Sequence, residues 1–162
     1  MSKFIAGLDR LAATRINPVV QEDATGCGIA AVAMLAGVRY HQAKRAASLL
    51  GIQVSDSRLW SGTAFVRRLL EHYSIIAEPQ EQPFCSWHSL PPLALLAIKW
   101  RDNGFRVFWH WVVFRREGEY SVVLDPKKLL RNNIRTDFGR IRPRWFITIH
   151  TAPSLGHVFS TR

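Results

Sequence analysis

The rhythm of apolar and polar positions changes once along this chain, from helical spacing in the first half to alternation in the second. Gly28 to Ala36 is apolar almost throughout, which predicts a buried helix stopped by Gly37. His41 to Leu50 sets Ala43, Ala46, Ala47 and Leu50 near helical spacing and closes at Gly51, a second helix. Ser61-Gly62-Thr63 is a helix-start signal ahead of Ala64 to Tyr73. A short helix is also expected over Ser2 to Ala13, broken by Asn17-Pro18, and a short strand over Ser74 to Ala77. Pro79, Pro83, Pro91 and Pro92 mark an irregular crossover that carries Trp87 and His88. Leu93 to Trp100 fits helix or strand equally, because its continuous apolar run has no diagnostic period. Arg106 to Arg115 is rich in β-branched and aromatic residues, Glu117-Gly118-Glu119 is a hairpin turn, and Tyr120 to Leu124 returns as a strand ended by Pro126. Ile141 to Ile149, with Trp145, Ile147 and Ile149 alternating, predicts a last strand.

Helices first and strands later point to an α+β fold, with helices segregated from an antiparallel sheet. A chain of 162 residues is expected to hold one domain, over 1–150, followed by a loosely held tail over 151–162. Nearly half the residues are apolar, which excludes a disordered chain. No apolar run reaches the roughly 18 residues of a membrane span, and the N-terminus lacks a signal-peptide centre, so a cytoplasmic protein is expected. Two cysteines, Cys27 and Cys85, make no disulfide framework. Cys85 lies in a loop-like stretch and is read as a packed free thiol. The net charge of +10 raises the question of nucleic acid. The basic residues are scattered, denser only from Lys127 to Arg144, and no nucleic-acid motif accompanies them, so a nucleic-acid partner is not expected.

The chemistry concentrates at Cys27. Gln21-Glu22-Asp23-Ala24-Thr25-Gly26-Cys27-Gly28 delivers a thiol to the first turn of the apolar helix, where unpaired N–H groups and the dipole favour a thiolate and an oxyanion. Downstream stand His110, in Phe108-Trp109-His110-Trp111, and Asp125, in Leu124-Asp125-Pro126. Each has a plainer reading: a small buried hydrophobe, a strand histidine, a turn residue. Their joint placement carries the weight, since a Cys–His site pairs a nucleophile on a helix with a base on a facing strand. In that reading Cys27 attacks a carbonyl carbon and His110 forms the ion pair and protonates the leaving amine. Asp125 orients the imidazole, and Gln21 donates its side-chain N–H to the oxyanion beside the Cys27 backbone N–H. The remaining histidines, His41, His72, His88, His150 and His157, show no metal-ligand spacing, and such chemistry needs no cofactor.

Gln21-x-Asp23-x-x-x-Cys27-Gly28-x-Ala30 with its Ala- and Met-rich helix resembles the start of the C39 peptidases, papain-like domains that cleave bacteriocin leader peptides after a double glycine. His110-Trp111-Val112-Val113 and Leu124-Asp125-Pro126 are similar to that family's His-aromatic-Val-Val and Asp-Pro segments. Ser61-Gly62-Thr63 and Leu90-Pro91-Pro92-Leu93 resemble its Gly-Thr helix start and Leu-Pro segment. The resemblance runs from Pro18 to Asp125 and more weakly through the last strand, a core of 18–149. It departs at Gly26, where the family usually has Asp, and the chain is read as a stand-alone domain without exporter parts. It implies a papain-like fold and a cysteine endopeptidase working through a thioester. The implied substrate is a peptide or small protein, a Gly-Gly leader among them, and the implied partner a separate export protein. Trp109 or Trp111 could wall a narrow cleft for glycines; Trp60 and Trp87, read as core, are the other candidates for an apolar docking patch. Three rivals stand beside this reading: a C39-like docking domain without turnover, a thioester-forming amidase or transferase on another substrate, and a basic protein that binds an acidic macromolecule.

Overall fold

The first apolar run folds as helix α1 (Cys27–Ala36), whose residues Cys27 to Met34 are all buried, in a computed structural model that describes residues 16–150. The helix expected over Ser2 to Ala13 and the tail over 151–162 lie outside the described residues. Gly37 takes the left-handed conformation (φ 68°) that ends α1, a geometry costly for residues with a Cβ. Helix α2 (Tyr40–Leu49) buries Tyr40, Ala43, Ala46 and Ala47, and α3 (Ala64–His72) buries Val66, Leu69 and Leu70. A single turn of 3-10 helix, Ser57–Trp60, joins them.

Seven strands follow: β1 (Ile76–Ala77), β2 (Gln82–Pro83), β3 (Leu93–Asp102), β4 (Val107–Glu117), β5 (Tyr120–Leu124), β6 (Ile134–Arg135) and β7 (Pro143–His150). They form one sheet in the order β1-β7-β3-β4-β5-β6, with β2 also on β7, and every pairing is antiparallel. The ambiguous run becomes β3, bonded to β4 on one side and β7 on the other. Leu93 to Ile98 are buried on both faces, so the strand shows no alternation. Leu93, Leu95 and Ala97 meet the helices with Trp111, Val113, Ile147 and Ile149. Ala94, Leu96 and Ile98 meet Val112, Phe114 and Phe146 under the crossover loop. Trp87 joins this second cluster, edge-on to Phe84 and Phe138. Cys85, expected to be packed, is exposed instead, because the loop turns only Phe84, Trp87 and Leu90 inward.

Two features place the site. The β4–β5 ladder begins at the turn and ends at Val113↔Leu124, so Asp125 leaves the sheet beside the unpaired edge of β4. In β3 the register with β4 shifts between Ile98 and Arg101, a bulge in which Lys99 adopts φ 52°. Helix α1 is pressed onto this frame so closely that a Cβ at Gly28 would lie 2.8 Å from Val66 Cγ2 and 3.1 Å from Trp111 Cδ1. Gly28→Ala therefore overpacks the helix–sheet contact and is expected to cost about 1–3 kcal/mol, read as a lower urea midpoint at unchanged slope.

Candidate active site

Gly26 is the N-cap of α1, no side chain caps the helix, and its first turn holds no acidic residue. The positive end of the helix is therefore uncompensated where Cys27 sits. The turn before it is fixed by Asp23, which accepts from Tyr40 Oη at 2.7 Å and from Lys44 Nζ at 3.1 Å. Burial alone would raise the Asp23 carboxyl; those two partners outweigh it and hold the group below its usual range. The same contact accounts for Gly26. A Cβ at this position would stand 2.0 Å from the Tyr40 hydroxyl, so the Asp of the C39 pattern has no room here.

Asp125 is fully buried and is the one buried charged side chain among the described residues. Its Oδ1 accepts from His110 Nε2 at 2.7 Å and from the Lys127 backbone N–H at 3.0 Å. Its Oδ2 accepts from Arg135 Nη1 at 2.9 Å. Asn133 fixes the backbone around it, donating Nδ2 to the Asp125 carbonyl at 2.7 Å and accepting the Asp125 N–H at 2.8 Å. Since His110 gives Nε2 to the carboxylate, Nδ1 is the nitrogen left for chemistry with the thiol.

Burial by itself would lower the His110 pKa. Hydrogen bonds and charge from Asp125 and Cys27 overcome it and raise the imidazole to about 9. Burial would likewise raise Asp125, but His110, the Lys127 N–H and Arg135 bring it down to about 2. The signs give two windows. The stability from the raised His110 is complete below its unperturbed 6.5 and is lost as pH rises through about 9. That from the depressed Asp125 is present above 3.8 and is lost as pH falls through about 2.

Cys27, His110 and Gln21 open onto one cavity of about 580 Å³, walled by Trp109 and rimmed by Lys99 and Lys127. Trp111 is fully buried and does not line it. Gln21 is at the cavity, yet its Nε2 donates to the carbonyls of Asp23 at 2.9 Å and Ala24 at 3.1 Å, while Oε1 is buried without a partner. The amide N–H expected to serve an oxyanion is thus held within its own turn. The sequence reading missed Arg135 and Asn133. Both lie in the basic stretch after Pro126, where two-residue β6 leaves no periodic signal.

No family model matches this chain, and no curated protein matches it. Among solved structures it is similar to the crystal structure of a double glycine motif protease from an AMS/PCAT transporter in complex with the leader peptide. That likeness has 18% identity and a TM-score of 0.49 over 83% of this chain and 91% of that chain. No described helix is long and apolar enough to cross a membrane.

The geometry predicts the titration of His110 by NMR. Its midpoint is expected near 9 in the intact protein and lower in Cys27→Ala and in Asp125→Asn. Arg135→Gln is expected to move it upward, because a cation that shares the Asp125 carboxylate is removed. A midpoint at or below 6.5 in the intact protein would contradict the pairing.

Proposed function

We propose that this protein is a cysteine endopeptidase that cleaves a peptide or small-protein substrate through a thioester, with Cys27 as nucleophile, His110 as acid and base, and Asp125 as the orienting carboxylate. One observation carries the reading: the buried His110–Asp125 pair at 2.7 Å opens on the same cavity as a cysteine at an uncapped helix N-terminus.

The roles follow from that arrangement. With its proton on His110, the Cys27 sulfur attacks the scissile carbonyl carbon, and the carbonyl π electrons move to oxygen. The developing oxyanion meets the backbone N–H of Cys27 and, once it leaves the Asp23 and Ala24 carbonyls, the Gln21 amide. Collapse breaks the C–N bond, and the imidazolium donates its proton to the departing amine. Water, deprotonated by the same ring, then attacks the thioester, releasing the acid and restoring the thiol. Asp125 keeps Nε2 bonded throughout, so the ring neither flips nor loses its charged form to burial. Cleavage after Gly-Gly rests on the motif resemblance.

Alkylation and turnover test the two halves separately. Between about pH 4 and pH 7, iodoacetamide is expected to label Cys27 faster than exposed Cys85, and His110→Ala to remove that advantage. On a degenerate peptide library the intact chain is expected to cut, Cys27→Ala to be inert, and Gln21→Ala to lose about 10²–10³ in kcat. Selective labelling without any cut peptide would make this a docking domain, and equal, slow labelling of both cysteines would overturn the thiolate reading itself.

A further inference from the structure

A second cavity, of about 430 Å³, meets the first at Lys99, which lines both. Its other charged walls are Arg135, Arg140, Arg142 and Arg144, and no Asp or Glu lines it. The residues come from separate parts of the chain. Pairing of Ile98 with Pro143 in the β3–β7 ladder sets Arg142 and Arg144 beside the Lys99 bulge, and the 3-10 turn Phe138–Arg140 closes the far side.

These cations are not equivalent. Arg135 is spent on Asp125 and, through Nε and Nη2, on Asp137. Arg144 lies 4.6 Å over the Trp100 ring, which fixes its plane while its charge stays uncompensated. Arg142 is exposed and has no hydrogen-bond or ion-pair partner among the described residues. Lys99, with no carboxylate bonded to it, faces Lys127; partial desolvation and then that neighbouring charge depress its ammonium below the usual range. Asp125 acts on Lys99 and Asp137 on Arg140 from outside the groove and offset part of this charge. Like charges held together still repel, and an anion laid between them relieves the repulsion. Planar guanidinium groups in particular match carboxylates two bonds at a time.

We propose that the Arg140–Arg142–Arg144 groove, which shares the Lys99 wall with the Cys27 cavity, binds an acidic stretch of the peptide substrate as its scissile bond enters the site. The proposal rests on the peptidase reading for the identity of its occupant. A groove of guanidinium groups beside a peptide-cleaving site favours carboxylate side chains spaced along a chain over the phosphates of a nucleic acid.

The test uses the full chain carrying Cys27→Ala, so that nothing is consumed. Fluorescence anisotropy compares rhodamine-labelled peptides bearing hexaglutamate or hexaglutamine, with a single-stranded oligonucleotide as competitor. Hexaglutamate is expected to bind roughly ten-fold or more tightly than hexaglutamine. Arg140→Glu with Arg142→Glu is expected to erase that difference. Lys128→Glu with Arg131→Glu, an equal charge change at exposed residues lining neither cavity, is expected to keep it within about two-fold. Equal loss from both pairs would reduce the effect to net charge and overturn the proposal. So would an oligonucleotide that binds through the same arginines more tightly than hexaglutamate. Failure of the peptidase reading is separable: selective hexaglutamate binding by a chain that cuts nothing leaves the groove and removes the enzyme, whereas cleavage without selectivity removes the groove alone.

Discussion

A carboxylate with no exposure to solvent governs this structure. Burying such a charge costs several kcal/mol unless its oxygens are bonded and its charge is met. Asp125 satisfies that requirement with the His110 ring of β4, the Lys127 N–H of the chain leaving β5, and the Arg135 guanidinium of β6. Those three donors come from three segments, so each is held where the carboxylate needs it. Arg135 is gripped in turn by Asp137, giving a row of alternating sign from Asp137 through Arg135 and Asp125 to His110. Arg135 does two opposed things to the imidazole. It anchors the carboxylate that orients the ring, and its charge weakens the attraction that keeps the ring protonated.

Cys27 reaches this row by packing. The Gln21 N–H donates to the Pro126 carbonyl at 2.9 Å, so the segment entering the Cys27 turn is tied to the chain just beyond Asp125. Tyr40 and Lys44 fix the turn from α2 through Asp23, and Trp111 with Val66 fixes the first turn of α1 through Gly28. Trp111 sits edge-on to Trp109 and Trp145, at 5.8 and 5.2 Å, so the cavity wall and the seat of the helix belong to one aromatic cluster. Glycine on both sides of Cys27 thus has two different causes. A tyrosine hydroxyl excludes a side chain at residue 26, and an indole with a valine excludes one at residue 28.

Local pattern made much of this legible. The three described helices and the long β4–β5 hairpin follow from apolar spacing and turn residues, and the structure bounds them within a residue or two of the sequence reading. What stayed closed depended on pairing. Leu93 to Trp100 could not be assigned because burial on both faces erases the period of a strand. Arg135 could not be seen because its value lies in meeting a carboxylate ten residues earlier across a strand of two residues. Cys85 was misread because an apolar neighbourhood in sequence, Phe84 and Trp87, does not carry the residue between them inward. The Gln21 amide shows the limit most sharply: sequence supplies the donor, but only three-dimensional structure says which acceptors already hold it.

The charge of the chain acquires meaning in the same way. In sequence its cations look dispersed; among the described residues some face carboxylates, some such as Arg116 bond backbone carbonyls, and one group, with Arg135 at its edge, shares a groove. Arg58, Arg67, Arg115 and Arg135 each face a carboxylate and serve the structure. Lys99 and Arg140 to Arg144 converge on one groove that no acidic side chain lines. Exposed pairs of the first kind contribute little to stability, typically about 0–1 kcal/mol, so pairing alone does not explain why so basic a chain folds. The apolar core carries that burden, which leaves the groove cations unconstrained by stability. Mutual repulsion among these cations mildly opposes folding, and the Lys99 wall they share with the Cys27 cavity gives that cost a direction. An anion held between these cations would relieve their repulsion, and the Lys99 wall sets it beside the Cys27 cavity.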